Sequence, residues 1–140
     1  MDYRRYSSTI ILRLDKGDEI IECLKQVAKA ELITAASVSG IGAAGEVSGG
    51  IFDVPNRQYS KHDYTGIREI TGLNGNISTM DGEVYIHAHM NCAGADGNVV
   101  GGHLIRCVVG LTAEIFIQCA DAVLDRRRDE SVGLNVFNFS

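Results

Sequence analysis

The sequence lacks the features that define several large classes of protein. Its 140 residues include no tryptophan, one proline and four widely spaced cysteines without a CxxC pair. Disulfide frameworks and zinc ribbons depend on regularly spaced cysteines, so we expect reduced thiols and a cytoplasmic protein. No apolar stretch approaches the roughly 18 residues of a membrane span. The first residues, MDYRRYSS, lack the apolar segment of a signal peptide, and we expect no membrane partner.

Positive charge is also scarce. Lysine and arginine number 13 against 18 acidic residues, which gives a formal net charge of -5. Non-specific nucleic-acid binding depends mainly on basic side chains that neutralise phosphates. The only basic cluster, RRRDE at Arg126–Glu130, includes acids and is typical of a solvated turn or helix end. We therefore expect no direct binding to nucleic acid.

Glycine and β-forming residues are what the sequence has in abundance. There are 16 glycines, and 45% of the residues are hydrophobic, enough to bury one core in a single domain over residues 1–140. Short runs rich in Val, Ile, Thr and Tyr favour strands joined by tight turns. One helix is clear, because GDEIIECLKQVAKAEL has helical apolar spacing and acids at its start. The fold class is therefore α+β, with one main N-terminal helix.

The strand predictions follow from alternation and turn residues. In STIILRL, Ile10, Leu12 and Leu14 face the core while Arg13 faces away. Residues 33–53 are predicted to form a strand, a glycine bend and a second strand, and residues 54–63 a surface turn that leaves His62 exposed. From residue 64 we predict a meander with a turn at Asp81 and Gly82. A central strand over 107–120 and a short strand in LNVFNF complete the predicted elements.

Three of the four histidines lie between Val84 and Leu104. In a strand His87 and His89 share one face, together with Tyr85. If the loop AGADGN turns the chain back, His103 lies across from His89, and the glycines of GGH allow that close approach. Three imidazoles suit zinc first, or another divalent transition metal, with a position left open for a ligand. The alternative is a partly buried polar trio held by backbone hydrogen bonds.

Glu114 is the candidate catalytic residue. Strand alternation places this carboxylate between Thr112 and Phe116 on the predicted central strand, where it requires a partner. It could be a metal ligand, an acceptor for an imidazole N–H, or a general base. The alternative is a salt bridge to Arg13 or Arg106, within the chain or across a subunit interface.

Six short motifs give the sequence a family resemblance. In order they are SGIGA (39–43), IFD (51–53), LNGNIS (73–78), HAH (87–89), GGHL (101–104) and LTAEI (111–115). Together they resemble the plants-and-prokaryotes-conserved (PPC) domain, and HAH followed by GGHL is the most specific part. The resemblance implies a strongly bent, mainly antiparallel sheet, a homotrimer, and a metal at His87, His89 and His103. Plant members follow AT-hook motifs; this chain has none, and it is more similar to stand-alone prokaryotic members.

A weaker resemblance extends to acetolactate decarboxylase, a zinc enzyme with an HxH pair and a later histidine. Two alternative functions are therefore considered. The first is a trimeric, metal-containing protein with a binding or regulatory role, associated with DNA only through a partner. The second is a zinc-dependent lyase or hydrolase acting on a small keto acid, hydroxy acid or ester, with Glu114 transferring a proton. An open metal position beside a polar group would favour the enzyme.

Overall fold

The computed structural model describes all residues from Met1 to Ser140, and they form one bent, mainly antiparallel sheet with a single helix. This confirms the predicted fold class. The elements are β1 (Asp2–Tyr6), β2 (Thr9–Asp15), α1 (Ile20–Ala30), β3 (Ala36–Asp53), β4 (Gln58–Met80), β5 (Glu83–Ala93), β6 (Val99–Cys119), β7 (Asp125–Asp129) and β8 (Leu134–Asn138).

The helix α1 covers the inner face of the sheet. Its buried stripe packs with the inward side chains of β2 in one core, as the apolar spacing of both segments predicted. Glu19 joins the helix to the sheet, because one carboxylate oxygen caps Glu22 N at 2.8 Å and the other accepts from Cys107 N at 2.8 Å. With 11 residues, α1 is too short to cross a membrane, and there is no other helix.

Three strands are far longer than the sequence indicated. β3, β4 and β6 have 18, 23 and 21 residues, whereas strands average about 5–6. The prediction of a glycine bend within 33–53 was wrong, and so was the division of residues 64–80 into separate strands. β3 and β4 are each one continuous strand. The register instead shifts at irregularities between Gly40 and Gly42 and between Ile70 and Gly72. Such bulges bend a strand without ending it, so β3 and β4 continue as strands through their glycines.

The predicted surface turn is also shorter than expected. Only residues 54–57 connect β3 to β4, and His62 lies in β4 opposite Gly49 rather than in a turn, although it is exposed as expected. Three other predictions are confirmed. Asp81 and Gly82 form the turn between β4 and β5, the central strand is β6, and the short C-terminal strand is β8.

Strand β5 closes part of the sheet into a ring. It pairs with β4 along its length and with β6 from Ala93↔Val99 to His89↔His103, while β3 joins β4 and β6 on the other side. His89↔His103 is the last registered pair before β6 leaves β5. His87 therefore has a strand partner, Asn76, on one side only, because β5 and β6 are no longer paired at this position.

The basic cluster RRRDE is not the solvated turn or helix end that the sequence indicated. Residues 125–129 form β7, which pairs with β8 and meets β4 at Thr79↔Asp125. Arg126 is only 6% exposed. The prediction was wrong because Arg126 finds its hydrogen-bond partners on β4 and β8, distant in sequence or across the hairpin.

The close approach of β4 and β5 gives a first prediction. A Cβ added at Gly75 would lie 2.9 Å from Ala88 Cα and against the carbonyl oxygen of His87. We expect Gly75→Ala to force the strands apart behind His87 and to destabilise the protein by about 1–3 kcal/mol in chemical denaturation. Gly72→Ala is the matched control on the same strand, since its Cβ would meet only Asn74 Nδ2, at 3.6 Å. Equal stabilities of the two variants would contradict this account.

Candidate metal centre

The three histidines converge on the outer face of the sheet. His87 and His89 point outward because Ala88 and Met90, which alternate with them, are buried in the core. His103 lies directly opposite His89 across the β5–β6 pair, as expected from the hairpin. The ring centroids are 5.1 Å apart for His87 and His89, 5.3 Å for His87 and His103, and 5.5 Å for His89 and His103.

The ring nitrogens have separations that suit a shared ion. The Nε2 atoms of His87 and His89 are 3.2 Å apart, and one nitrogen from each of the three rings lies within 4.8 Å of the others. Two nitrogens bound to one tetrahedral zinc ion at about 2.0–2.1 Å would be about 3.3 Å apart. The three residues therefore fit a divalent transition metal in both donor chemistry and spacing.

Backbone hydrogen bonds, the alternative account, do not hold these rings. The only hydrogen bond that any of the three makes is between His87 and His89, where one imidazole would donate to the other. Nδ1 of His103 is buried without a partner. A buried polar atom without a partner is costly, so the folded chain alone leaves this ring incompletely satisfied.

Burial keeps two of the imidazoles neutral. It is the largest cause lowering the pKa of His103 to about 4, with smaller contributions from His87 and His89. Burial also lowers the pKa of His87, followed by the positive charge of Arg126 and then His89. No carboxylate contributes at either ring. Since metals bind neutral imidazole, His87 and His103 carry available lone pairs at neutral pH.

Two glycines bring His103 to its place. A Cβ on Gly101 would lie 2.6 Å from the carbonyl oxygen of Met90 in β5, and one on Gly102 would lie 2.7 Å from that of Gly50 in β3. Gly102 also has φ of 149°. Strand β6 is thus held close to both neighbours immediately before His103, as the motif GGH indicated.

Aromatic side chains surround the three histidines. Tyr59 of β4 stacks on His103 at a centroid distance of 4.6 Å, and Phe52 contacts Tyr59 edge-on at 5.3 Å. Tyr85 shares the outer face of β5 with the histidines, which alternation had indicated, and its hydroxyl accepts from Asn135 Nδ2 at 3.3 Å. Tyr59 carried no signal in the sequence, because 44 residues separate it from His103.

The structure does not bring Glu114 to the histidines. It lies eleven residues along β6 from His103, paired to Arg13 in β2 and Ile41 in β3, and its side chain is exposed. The alternative salt bridge within the chain was wrong. Arg13 forms a salt bridge with Asp15 at 3.0 Å and Arg106 forms one with Glu46 at 2.7 Å, and neither arginine forms one with Glu114.

His62 stays outside the cluster, as expected. It lines a small pocket with His103 and Tyr64, but contributes no nitrogen to the group of three.

Several solved structures are similar to the chain over almost its full length. A Bacteroides thetaiotaomicron protein, provisionally described as DNA-binding, has 28% identity and a TM-score of 0.95, covering 99% of this chain and 96% of its own. The plant- and prokaryote-conserved protein of Pyrococcus horikoshii has 30% identity and a TM-score of 0.87, covering 98% and 93%. A metal-containing protein of Archaeoglobus fulgidus has 28% identity and a TM-score of 0.86, covering 99% of both chains.

The more distant likeness is one of fold alone. A Staphylococcus aureus protein of unknown function, similar to α-acetolactate decarboxylase, has 14% identity and a TM-score of 0.58, covering 84% of this chain and 54% of its own. A search of curated protein sequences found no significant match.

Family assignment rests on the sequence as well as on the fold. The model of the Plants and Prokaryotes Conserved (PCC) domain matches residues 1–121, which include all three histidines and every motif of the expected resemblance. The chain belongs to the Plants and Prokaryotes Conserved (PCC) domain family.

Proposed function

We propose that this chain is a metal-containing PCC-domain protein with a binding or regulatory role. His87, His89 and His103 would hold a divalent transition metal, zinc first. The observation that carries the proposal is the convergence of three imidazoles, with Nδ1 of His103 buried and unpartnered beside them. The metal-containing protein of Archaeoglobus fulgidus, at 28% identity, adds support.

The side chains around the histidines favour a site that binds a ligand over a purely structural one. The cluster contains no cysteine or carboxylate as a fourth protein ligand, and His89 is exposed to solvent. Structural zinc sites are usually closed by four protein ligands. Zinc on three imidazoles would act as a Lewis acid towards an oxygen atom of a small molecule. Tyr85, on the same face, could orient that molecule through its hydroxyl.

A second candidate function is a zinc-dependent lyase or hydrolase acting on a small keto acid, hydroxy acid or ester. The position that three imidazoles would leave open on a metal, on the strand face that also carries Tyr85, is what favours it. Glu114, the expected proton-transfer residue, lies apart from the histidines, and no other carboxylate belongs to the cluster. The cluster therefore lacks a carboxylate that could act as a general base, and the binding role has better support.

Any association with DNA is proposed to be indirect. The only basic cluster offers little free charge, because Arg126 is buried and the neighbouring arginines approach acids, Arg127 to Asp129 at 3.9 Å and Arg128 to Glu130 at 3.8 Å. The net charge of -5 also opposes binding to phosphates.

We further propose a cytoplasmic homotrimer. All four cysteines are free thiols, which suits a reducing compartment. Ile11, Ile41 and Phe116 lie on the outer faces of neighbouring strands and are 39%, 59% and 49% exposed. Apolar side chains grouped in this way favour a surface that is covered in an assembly.

The metal site is tested by substitution of one histidine at a time. His89→Ala should abolish stoichiometric zinc, because it removes one of three ligands from an exposed position where the core is not disturbed. Metal content is measured by mass spectrometry after equilibrium dialysis, with circular dichroism to verify the fold. His62→Ala, a matched histidine outside the cluster, should retain about one zinc per chain. Full occupancy in the His89 variant would refute the site.

The trimer is tested by light scattering in dilute solution. We expect about three times the 15.1 kDa chain mass. Phe116→Asp should dissociate the assembly by placing a charge in the proposed interface, whereas Phe139→Asp, at an exposed C-terminal phenylalanine, should not. A monomeric wild-type protein would contradict this part of the proposal.

The charge argument is tested by a gel shift with random duplex DNA at physiological salt. We expect no shift from the purified chain, since its net charge is -5 and the arginines of its basic cluster are buried or approach acids. A salt-sensitive complex would show that direct binding occurs after all.

A further inference from the structure

Arg126 is a buried cation without an acidic partner. Its guanidinium donates to Ser78 Oγ, Asn76 Oδ1 and the carbonyl oxygen of Asn135, each at 2.8 Å, and forms no ion pair. The rings of Tyr85 and Phe137 lie 4.7 Å and 4.3 Å from its central carbon. All of these partners are uncharged, so no negative charge neutralises the guanidinium of Arg126.

This charge lies next to His87, one of the three histidines. Asn76, which accepts from Arg126, is the strand partner of His87. Tyr85, which packs on Arg126, precedes His87 by two residues on the same strand face. The guanidinium therefore lies beside the His87 end of the cluster.

We infer that the histidine site takes a small oxyanion, and that Arg126 supplies part of the positive charge that selects it. The inference rests on the proposed metal site. A divalent ion on neutral imidazoles, together with Arg126, brings roughly three positive charges to a region where no acidic group belongs to the cluster. An uncharged ligand would leave that charge unbalanced, whereas an organic carboxylate or a phosphate would offset part of it.

Hydrogen-bond donors are available for such a ligand. Of the five N–H groups of a guanidinium, three are used by the partners of Arg126. The Tyr85 hydroxyl accepts from Asn135 Nδ2, so its own proton remains free to donate. The ring of Tyr59 stacks on His103, and the ring of Phe137 packs on Arg126. A few donors within aromatic surroundings favour a small anion.

The test uses the full-length protein loaded with Co²⁺, whose visible spectrum reports on the metal. Glycolate and glycolamide are matched probes of nearly equal size that differ in charge, and inorganic phosphate is a second oxyanion. We expect glycolate to perturb the spectrum saturably and glycolamide to bind at least tenfold more weakly. A response to phosphate alone would identify phosphate rather than carboxylate as the oxyanion.

Variants assign the effect to Arg126. Arg126→Gln should keep one Co²⁺ per chain but raise the Kd for glycolate at least tenfold. Arg127→Gln removes the same charge from the next, exposed residue of β7 and should leave the Kd unchanged. Arg126→Lys keeps the charge and should retain the preference for glycolate, which serves as the test if the Gln variant fails to fold. Tyr85→Phe keeps the ring but removes the hydroxyl, and it should raise the Kd for glycolate several-fold.

The outcomes separate the two proposals. Failure of the wild-type protein to bind Co²⁺ would refute the metal site itself. Bound Co²⁺ with equal affinity for glycolate and glycolamide, and no response to phosphate, would overturn the anionic ligand alone. A folded Arg126→Gln variant with unchanged affinity for the bound oxyanion would remove Arg126 from the recognition.

Discussion

The pairing of β5 with β6 at His89↔His103 fixes the position of the whole candidate site. A slip of one residue would exchange the faces of a strand, so His89 would turn inward and Met90 outward. Met90 is 3% exposed and belongs to the core, and a buried imidazole in its place would lack a partner. Core packing on the inner face thus sets the register that brings the three imidazoles together on the outer face.

Much of this arrangement could be predicted because it is local. Alternation along β5 places His87 and His89 on one face, and a hairpin of short loop length brings His103 opposite His89. The inward face of β2 and the stripe of α1 follow from apolar spacing in the same way. In each case the relevant residues lie within one element or one hairpin, where sequence spacing determines geometry.

The rest could not be predicted, for two physical reasons. Gly40, Gly42 and Gly72 weaken strands on average, but here they lie at or beside register irregularities that let long strands bend, and sequence does not distinguish a bend from an end. Arg126 is part of a charged run that is typical of solvent, yet Ser78 and Asn76 satisfy it from about 50 residues away. Only the tertiary fold brings those acceptors to the guanidinium.

The proposed site combines two separate parts of the chain. The three imidazoles lie within residues 1–121, which the PCC family model matches, whereas Arg126 lies beyond them, with Asn135 and Phe137 on the same hairpin. That hairpin meets β4 through one strand pair at Thr79 and through the hydrogen bonds of Arg126 to Ser78 and Asn76. Substitutions in the hairpin could therefore alter the charge presented to a ligand without replacing any of the three histidines. In this arrangement the matched domain would supply the metal, and the C-terminal hairpin would determine which ligand the metal receives.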